Sequence, residues 1–181
     1  VSKTFKLNNI LPLIEHGHID YGENKVQEAL EKWSEIKSNN DKIKLHLIGK
    51  LQTNKVKISI KLFDYIHSLD NEKLARKISD EQKKQNRKPK LFIQVNIGNE
   101  SQKNGIHIKK LGEFYNYCKE QNLNVIGIMC IPPIDDDPEL SFLRMNYLKK
   151  KFNFKELSMG MSSDYLIAVN FNATFLRIGS K

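Results

Sequence analysis

Cysteine is nearly absent: 181 residues hold two, Cys118 and Cys130. Neither has a Cys-x-x-Cys partner and both sit among apolar neighbours, which argues against a disulfide framework or a thiolate metal site and predicts two buried thiols. No apolar run approaches the roughly 18 residues that cross a bilayer, and the opening Val1-Ser2-Lys3 lacks the character of a signal peptide, so a cytoplasmic chain with no membrane partner is expected. Repeats and low-complexity tracts are missing as well. Acidic residues are the scarcer charge, 21 against 30 lysines and arginines, for a net charge of +9. An excess of that sign attracts phosphate backbones. Here, however, the lysines are scattered and often stand beside glutamate, as in Glu81-Gln82-Lys83-Lys84. The denser stretches, Lys83 to Lys90 and Lys149 to Lys151, carry no interleaved stacking aromatics. They read as solvated basic faces, and no nucleic-acid partner is expected.

With 39% hydrophobic and 28% charged residues, the chain has the composition of one globular domain spanning residues 1–181. Two periodicities alternate along it. Short β-leaning runs cover 19–22, 44–48, 62–69, 90–97, 124–131, 154–159 and 175–179. Helical spacing lies between them: Val26, Ala29, Leu30, Trp33 and Ile36 form one apolar stripe, and Leu140, Leu143, Tyr147 and Leu148 another. Strands alternating with helices imply βαβ units and a parallel sheet. Val1-Ser2-Lys3 reads as the end of one more strand, which brings the count to eight and the expected fold to an α/β (β/α)8 TIM-type barrel. Such barrels usually run to about 200 residues or more, so a first and a last helix are expected to lie outside this sequence. Asp135-Asp136-Asp137-Pro138, after the rigid Pro132-Pro133 turn, is the one stretch that reads as a flexible loop.

Barrels place function at the carboxyl ends of their strands. The polar residues there are Lys3, Glu23, Asn24, His46, Asn96, Ser158 before the Met159-Gly160-Met161 turn, and Arg177-Ile178-Gly179-Ser180. A lysine in a partly apolar barrel mouth is deprotonated more easily, and a neutral amine attacks an aldehyde to form a Schiff base. Ser158, Gly179 and Ser180 lie in the loops where barrels hold phosphate. A lysine with a phosphate cup suggests pyridoxal 5′-phosphate (PLP), with Arg177 facing the pyridine nitrogen and weakening the electron sink. Plainer readings stand beside these. A lone lysine is most often a solvated surface residue. Ser162, Ser163 and Asp164 precede a helical stretch and suit its cap. His46 faces away from Leu45 and Leu47, as a satisfied core histidine or a ligand contact would. His16-Gly17-His18 has no third ligand at suitable spacing, so zinc is not expected.

Seven stretches together resemble one family: Val1-Ser2-Lys3-Thr4, Tyr21 to Glu28 (YGENKVQE), Leu45 to Lys55 (LHLIGKLQTNK), Gln94-Val95-Asn96, Gly127 to Pro133 (GIMCIPP), Leu157 to Ser162 (LSMGMS) and Arg177 to Ser180 (RIGS). Taken in order along the whole length, they look like the pyridoxal phosphate homeostasis proteins, whose barrel resembles the N-terminal domain of alanine racemase. The resemblance implies a Schiff base on Lys3, phosphate held by Ser158, Gly179 and Ser180, Arg177 against the pyridine nitrogen, and Asn24, His46 and Met159 around the cofactor. It also implies a helix before the lysine strand and a Phe-Gly-x-Arg segment after the last one, both outside this sequence. The function implied is a carrier or buffer of PLP without turnover, a monomer or weak dimer that delivers cofactor to PLP-dependent apo-enzymes. The rival is a racemase-like enzyme on the same cofactor. It needs a second acid-base group opposite the lysine, which in alanine racemase comes from a partner's further domain.

Overall fold

A computed structural model describes residues 1–100, 102–134 and 136–179. Every run expected as a strand overlaps one: β1 (Asp20–Glu23), β2 (Lys44–Leu47), β3 (Tyr65–Leu69), β4 (Lys90–Asn96), β6 (Val125–Met129), β7 (Glu156–Met161) and β8 (Phe175–Arg177). They pair in parallel in the order β1-β2-β3-β4-β6-β7-β8. A two-residue strand, β5 (Ile106–His107), adds to β4 off this path. The strand expected at Val1-Ser2-Lys3 does not form: residues 1–2 are a hydrogen-bonded segment outside any strand, and Lys3 stands in a turn. The Val1 amine donates to Ile178 O at 2.5 Å, and Ser2 N donates to Gly22 O at 2.9 Å. Residues 1–2 thus bridge β8 and β1 and bring the ring close to closure, as a (β/α)8-type barrel requires.

Helices α1 (Leu7–Glu15), α2 (Val26–Asn39), α3 (Val56–Leu62), α4 (Glu72–Gln85), α5 (Leu111–Glu120), α6 (Pro138–Phe152) and α7 (Tyr165–Asn170) follow the strands. Parallel strands need crossovers, and these helices supply them while burying an apolar face on the sheet. The α2 stripe lies where its spacing places it, with Val26, Ala29 and Trp33 buried and Leu30 and Ile36 packed against the core. The α6 stripe is a correction. Leu140, Leu143 and Tyr147 are 58%, 53% and 61% exposed, while Ser141, Phe142, Met145 and Leu148 face inward. Both sets repeat every three to four residues, so periodicity alone cannot choose between them. Pro138 and Asp137, expected in a loop, start α6 instead: Asp137 accepts from Glu139 N and Pro138 stands in the first turn. Asp135 lies outside the described residues.

Both cysteines are free and buried, and burial pushes each thiol up to about 12. Among the described residues, no helix is long and apolar enough to cross a membrane, and no group of three or more His, Cys, Asp or Glu side chains is placed to hold a metal.

Candidate functional site

Lys3 owes its place to a buried bracket on the residue before it. Ser2 Oγ donates to Glu23 Oε1 at 2.8 Å, and Lys32 Nζ reaches both Ser2 O and Glu23 Oε1 at 2.9 Å. Trp33 Nε1 donates to the same carboxylate oxygen at 2.9 Å. Glu23 is fully buried, and these donors replace water at Oε1, while Oε2 has no hydrogen-bond partner among the described residues. Glu23 therefore anchors the first segment from beneath and does not line the mouth, where sequence order had put it. Lys3 emerges exposed at the rim. Phe5, Ile48, Ile131 and Met161 give the mouth it borders the partly apolar lining expected there.

The mouth is a cavity of about 520 Å³ at the carboxyl ends of the strands, within the usual range for small-molecule sites. Lys3, Asn24, Lys50, Gln94, Ser162, Ser163, Arg177 and Gly179 are among its lining residues. Asn24 follows β1 and touches the turn after β2, where a Cβ on Gly49 would fall 2.2 Å from Asn24 O. Only glycine allows that approach, and it sets Lys50 beside Asn24. On the other wall, β7 carries one extra residue between Ser158 and Met161 relative to β8. Gly160 occupies this bulge with φ +89°, where a side chain would be strained and would press on Ala168. The bulge breaks the strict alternation of β7 and turns Ser162 to the rim, where its hydroxyl oxygen accepts from Gly179 N at 3.2 Å. Asp164 precedes α7 without capping it and accepts instead from Met161 N, so the expected Ser162-Ser163-Asp164 cap is a turn at the mouth.

Arg177 is the floor of this cavity. Its Nη1 donates to Ser158 Oγ and its Nη2 to Cys130 O, each at 2.8 Å. Burial lowers its basicity, yet it remains a guanidinium. The same residue lines a second cavity of about 420 Å³ that reaches back to the amino ends of β1, β3 and β8, among Asp20, His46, Tyr65, His67 and Phe175.

Of the residues expected to hold the cofactor, Lys3, Asn24, Arg177 and Gly179 meet at the mouth. Three do not line it. Ser158 is fully buried beneath Arg177, with its hydroxyl shared between that guanidinium and His67. Met159 is fully buried in the hydrophobic core cluster. His46 points into the barrel at the second cavity, 2.9 Å from Asp20 Oδ1 and stacked on Tyr65. Ser180 lies outside the described residues. Asn96, a further polar candidate, ties its own loop by bonding Glu100 O and Glu100 N. The sequence gives no cofactor role to Lys50 or Gln94, and offers Ser162 only as part of a helix cap. Lys50 could have been found, because Gly49-Lys50 follows β2 as Asn24 follows β1.

Three cations and two serine hydroxyls line the mouth, with no carboxylate among its described lining residues. This donor set suits a small anion that also carries an amine-reactive group.

Several known proteins share this architecture. The description "Alanine racemase, N-terminal domain" matches residues 3–181. A pyridoxal phosphate homeostasis protein of Aquifex aeolicus is 40% identical over 171 residues, covering 88% of this chain and 74% of that protein. The homeostasis protein of Vibrio cholerae is 34% identical and covers 99% of this chain and 81% of its own. Among solved structures, PipY of Synechococcus elongatus with PLP bound superposes with a TM-score of 0.88 at 32% identity, covering 99% of this chain and 88% of its own. Alanine racemase of Clostridium difficile shares the fold, with a TM-score of 0.75 at 12% identity over 96% of this chain and 47% of its own. From its 3–181 match and its 34–40% identity to these relatives, the chain belongs to the alanine racemase N-terminal domain family and, within it, to the pyridoxal phosphate homeostasis proteins.

Proposed function

We propose that the chain holds PLP in the mouth of the barrel, with Lys3 as a reversible covalent anchor, and serves as a carrier that buffers the cofactor and passes it to apo-enzymes. The observation that carries this reading is the lining of the mouth: Lys3, Lys50 and Arg177 face one cavity in which no described lining residue is a carboxylate. A dianionic phosphate is stabilised by such a field and by the small residues Ser162, Ser163 and Gly179 at its edge. When bound, the cofactor supplies an aldehyde that an amine joins reversibly. Lys3 is exposed at the rim, where its amine can reach a bound ligand and be reached in turn by an acceptor. Arg177 donates from below and holds no proton that it can give up at neutral pH. The PLP named in the PipY structure and the names of the relatives support the same reading.

Carrier is favoured over racemase by one feature of the cavity. Moving an α-proton between two faces needs an acid-base group on each, and apart from the two lysines, Lys3 and Lys50, the described lining holds no histidine, tyrosine, aspartate or glutamate to serve as one. The test is reduction of the PLP-loaded protein with borohydride followed by peptide mapping. The adduct is expected on Lys3, and Lys3→Ala should lose it while unfolding as cooperatively as the parent. An adduct on another lysine, or none, overturns the assignment.

A further inference from the structure

Five side chains run end to end through the barrel interior. Arg177 Nη1 and His67 Nδ1 each lie 2.8 Å from Ser158 Oγ, His67 Nε2 lies 3.1 Å from His46 Nδ1, and His46 Nε2 lies 2.9 Å from Asp20 Oδ1. They come from β8, β7, β3, β2 and β1, and they connect the floor of the mouth to the exposed carboxylate of Asp20 at the amino-end cavity.

The two ends give the chain a direction. A guanidinium only donates and a carboxylate only accepts. With one proton on each imidazole, a single arrangement satisfies every link. Arg177 donates to Ser158, Ser158 donates its hydroxyl proton to His67 Nδ1, His67 donates from Nε2 to His46 Nδ1, and His46 donates from Nε2 to Asp20. Burial above all holds His67 well below the ordinary imidazole range, which keeps it in this neutral form. The ring planes are held as well: Tyr65 stacks on His46 at 4.2 Å and 7°, and Phe92 on His67 at 4.3 Å and 16°. With its own proton given to His67, Ser158 Oγ presents lone pairs to Arg177, and the Cys130 carbonyl holds the other end of the guanidinium.

We propose that Ser158, His67, His46 and Asp20 are positioning residues that orient the Arg177 guanidinium under the mouth from the opposite face of the barrel. The inference rests on the reading of the mouth as the PLP site, where Arg177 would meet the ring and not the phosphate. Ser158 and His46, expected from the sequence as direct contacts, thereby act through Arg177, Ser158 by touching it and His46 by way of His67 and Ser158.

The test starts on the cofactor-free protein, so that it does not depend on the ligand. Long-range nitrogen–proton NMR should find His46 and His67 both protonated at Nε2, and the Arg177 Nη protons resolved from one another. Ser158→Ala and Asp20→Ala should mix the ring tautomers and average the Arg177 signals, whereas Asp20→Asn, which keeps an acceptor, should preserve both. With ligand, Ser158→Ala and Asp20→Ala should weaken PLP and unphosphorylated pyridoxal by the same factor, about three- to tenfold, because the ring contact is common to both. An Nδ1-protonated ring in the parent protein, or Arg177 signals indifferent to the substitutions, overturns the chain whatever the ligand does. A loss confined to the phosphorylated form returns Ser158 to phosphate contact and also overturns it. If neither pyridoxal form binds the parent protein, the reading of the mouth fails while the Arg177 signals still decide the chain.

Discussion

Residues at this site are constrained more by the backbone beside them than by the ligand they are read as holding. Gly49 shows it most sharply, since the turn after β2 lies so close to Asn24 that a methyl group would overlap its carbonyl. Gly49→Ala should cost about 1–3 kcal/mol of stability, as overpacking does, and displace Asn24 and Lys50 at the mouth. Urea unfolding checks the first part and PLP affinity the second. An unchanged midpoint would mean that the turn relaxes freely. Ser158 and Ser162 carry the complementary lesson. Four positions apart, with a small hydroxyl each, they are indistinguishable as phosphate contacts by residue type. The bulge at Gly160 separates them, leaving Ser158 on Arg177 inside the barrel and Ser162 at the rim.

Among the elements, the first segment depends on α2 as much as on its strand neighbours. The Glu23 carboxylate is buried with Lys32, Trp33 and Ser2 as donors, so removing the cation leaves a buried charge half compensated. Lys32→Met should destabilise the protein by about 3 kcal/mol, and the double variant Glu23→Gln/Lys32→Met should recover part of that loss. Because Trp33 is the only tryptophan and donates to Glu23, its fluorescence during chemical unfolding reports directly on the bracket. Additive losses in the double variant would show that the two side chains act separately. The element pattern was legible wherever one face alone is apolar, as in α2. It was ambiguous in α6, where two apolar stripes compete and packing against the sheet selects the one that carries Phe142 and Met145.

At the scale of the whole molecule, a barrel whose interior holds two histidines, an arginine and a carboxylate should be sensitive to acid. Burial keeps His67 unprotonated in the folded state well below its ordinary value of 6.5, whereas the unfolded chain takes up a proton there. Stability is therefore full above about pH 6.5 and falls as pH drops below it, by about 1.4 kcal/mol per unit while the folded ring stays neutral. Asp20, held below the usual carboxylate range chiefly by its hydrogen bond from His46, adds a loss in the same direction at lower pH still. Urea midpoints at pH 8 and pH 5.5 should differ accordingly, and His67→Gln should remove most of the difference. A parent protein equally stable at both would contradict a neutral, buried His67. The order of strands, the parallel sheet and the arginine at the last strand's end were all determined by the sequence, because alternating periodicities and short motifs are local. Which of two serines meets the rim, which stripe of α6 is buried, and whether His46 lines the mouth or braces Arg177 were decided only by the tertiary structure. Each of those depends on a bulge, a neighbouring face or a bond between distant strands, and none of these leaves a trace in residue spacing.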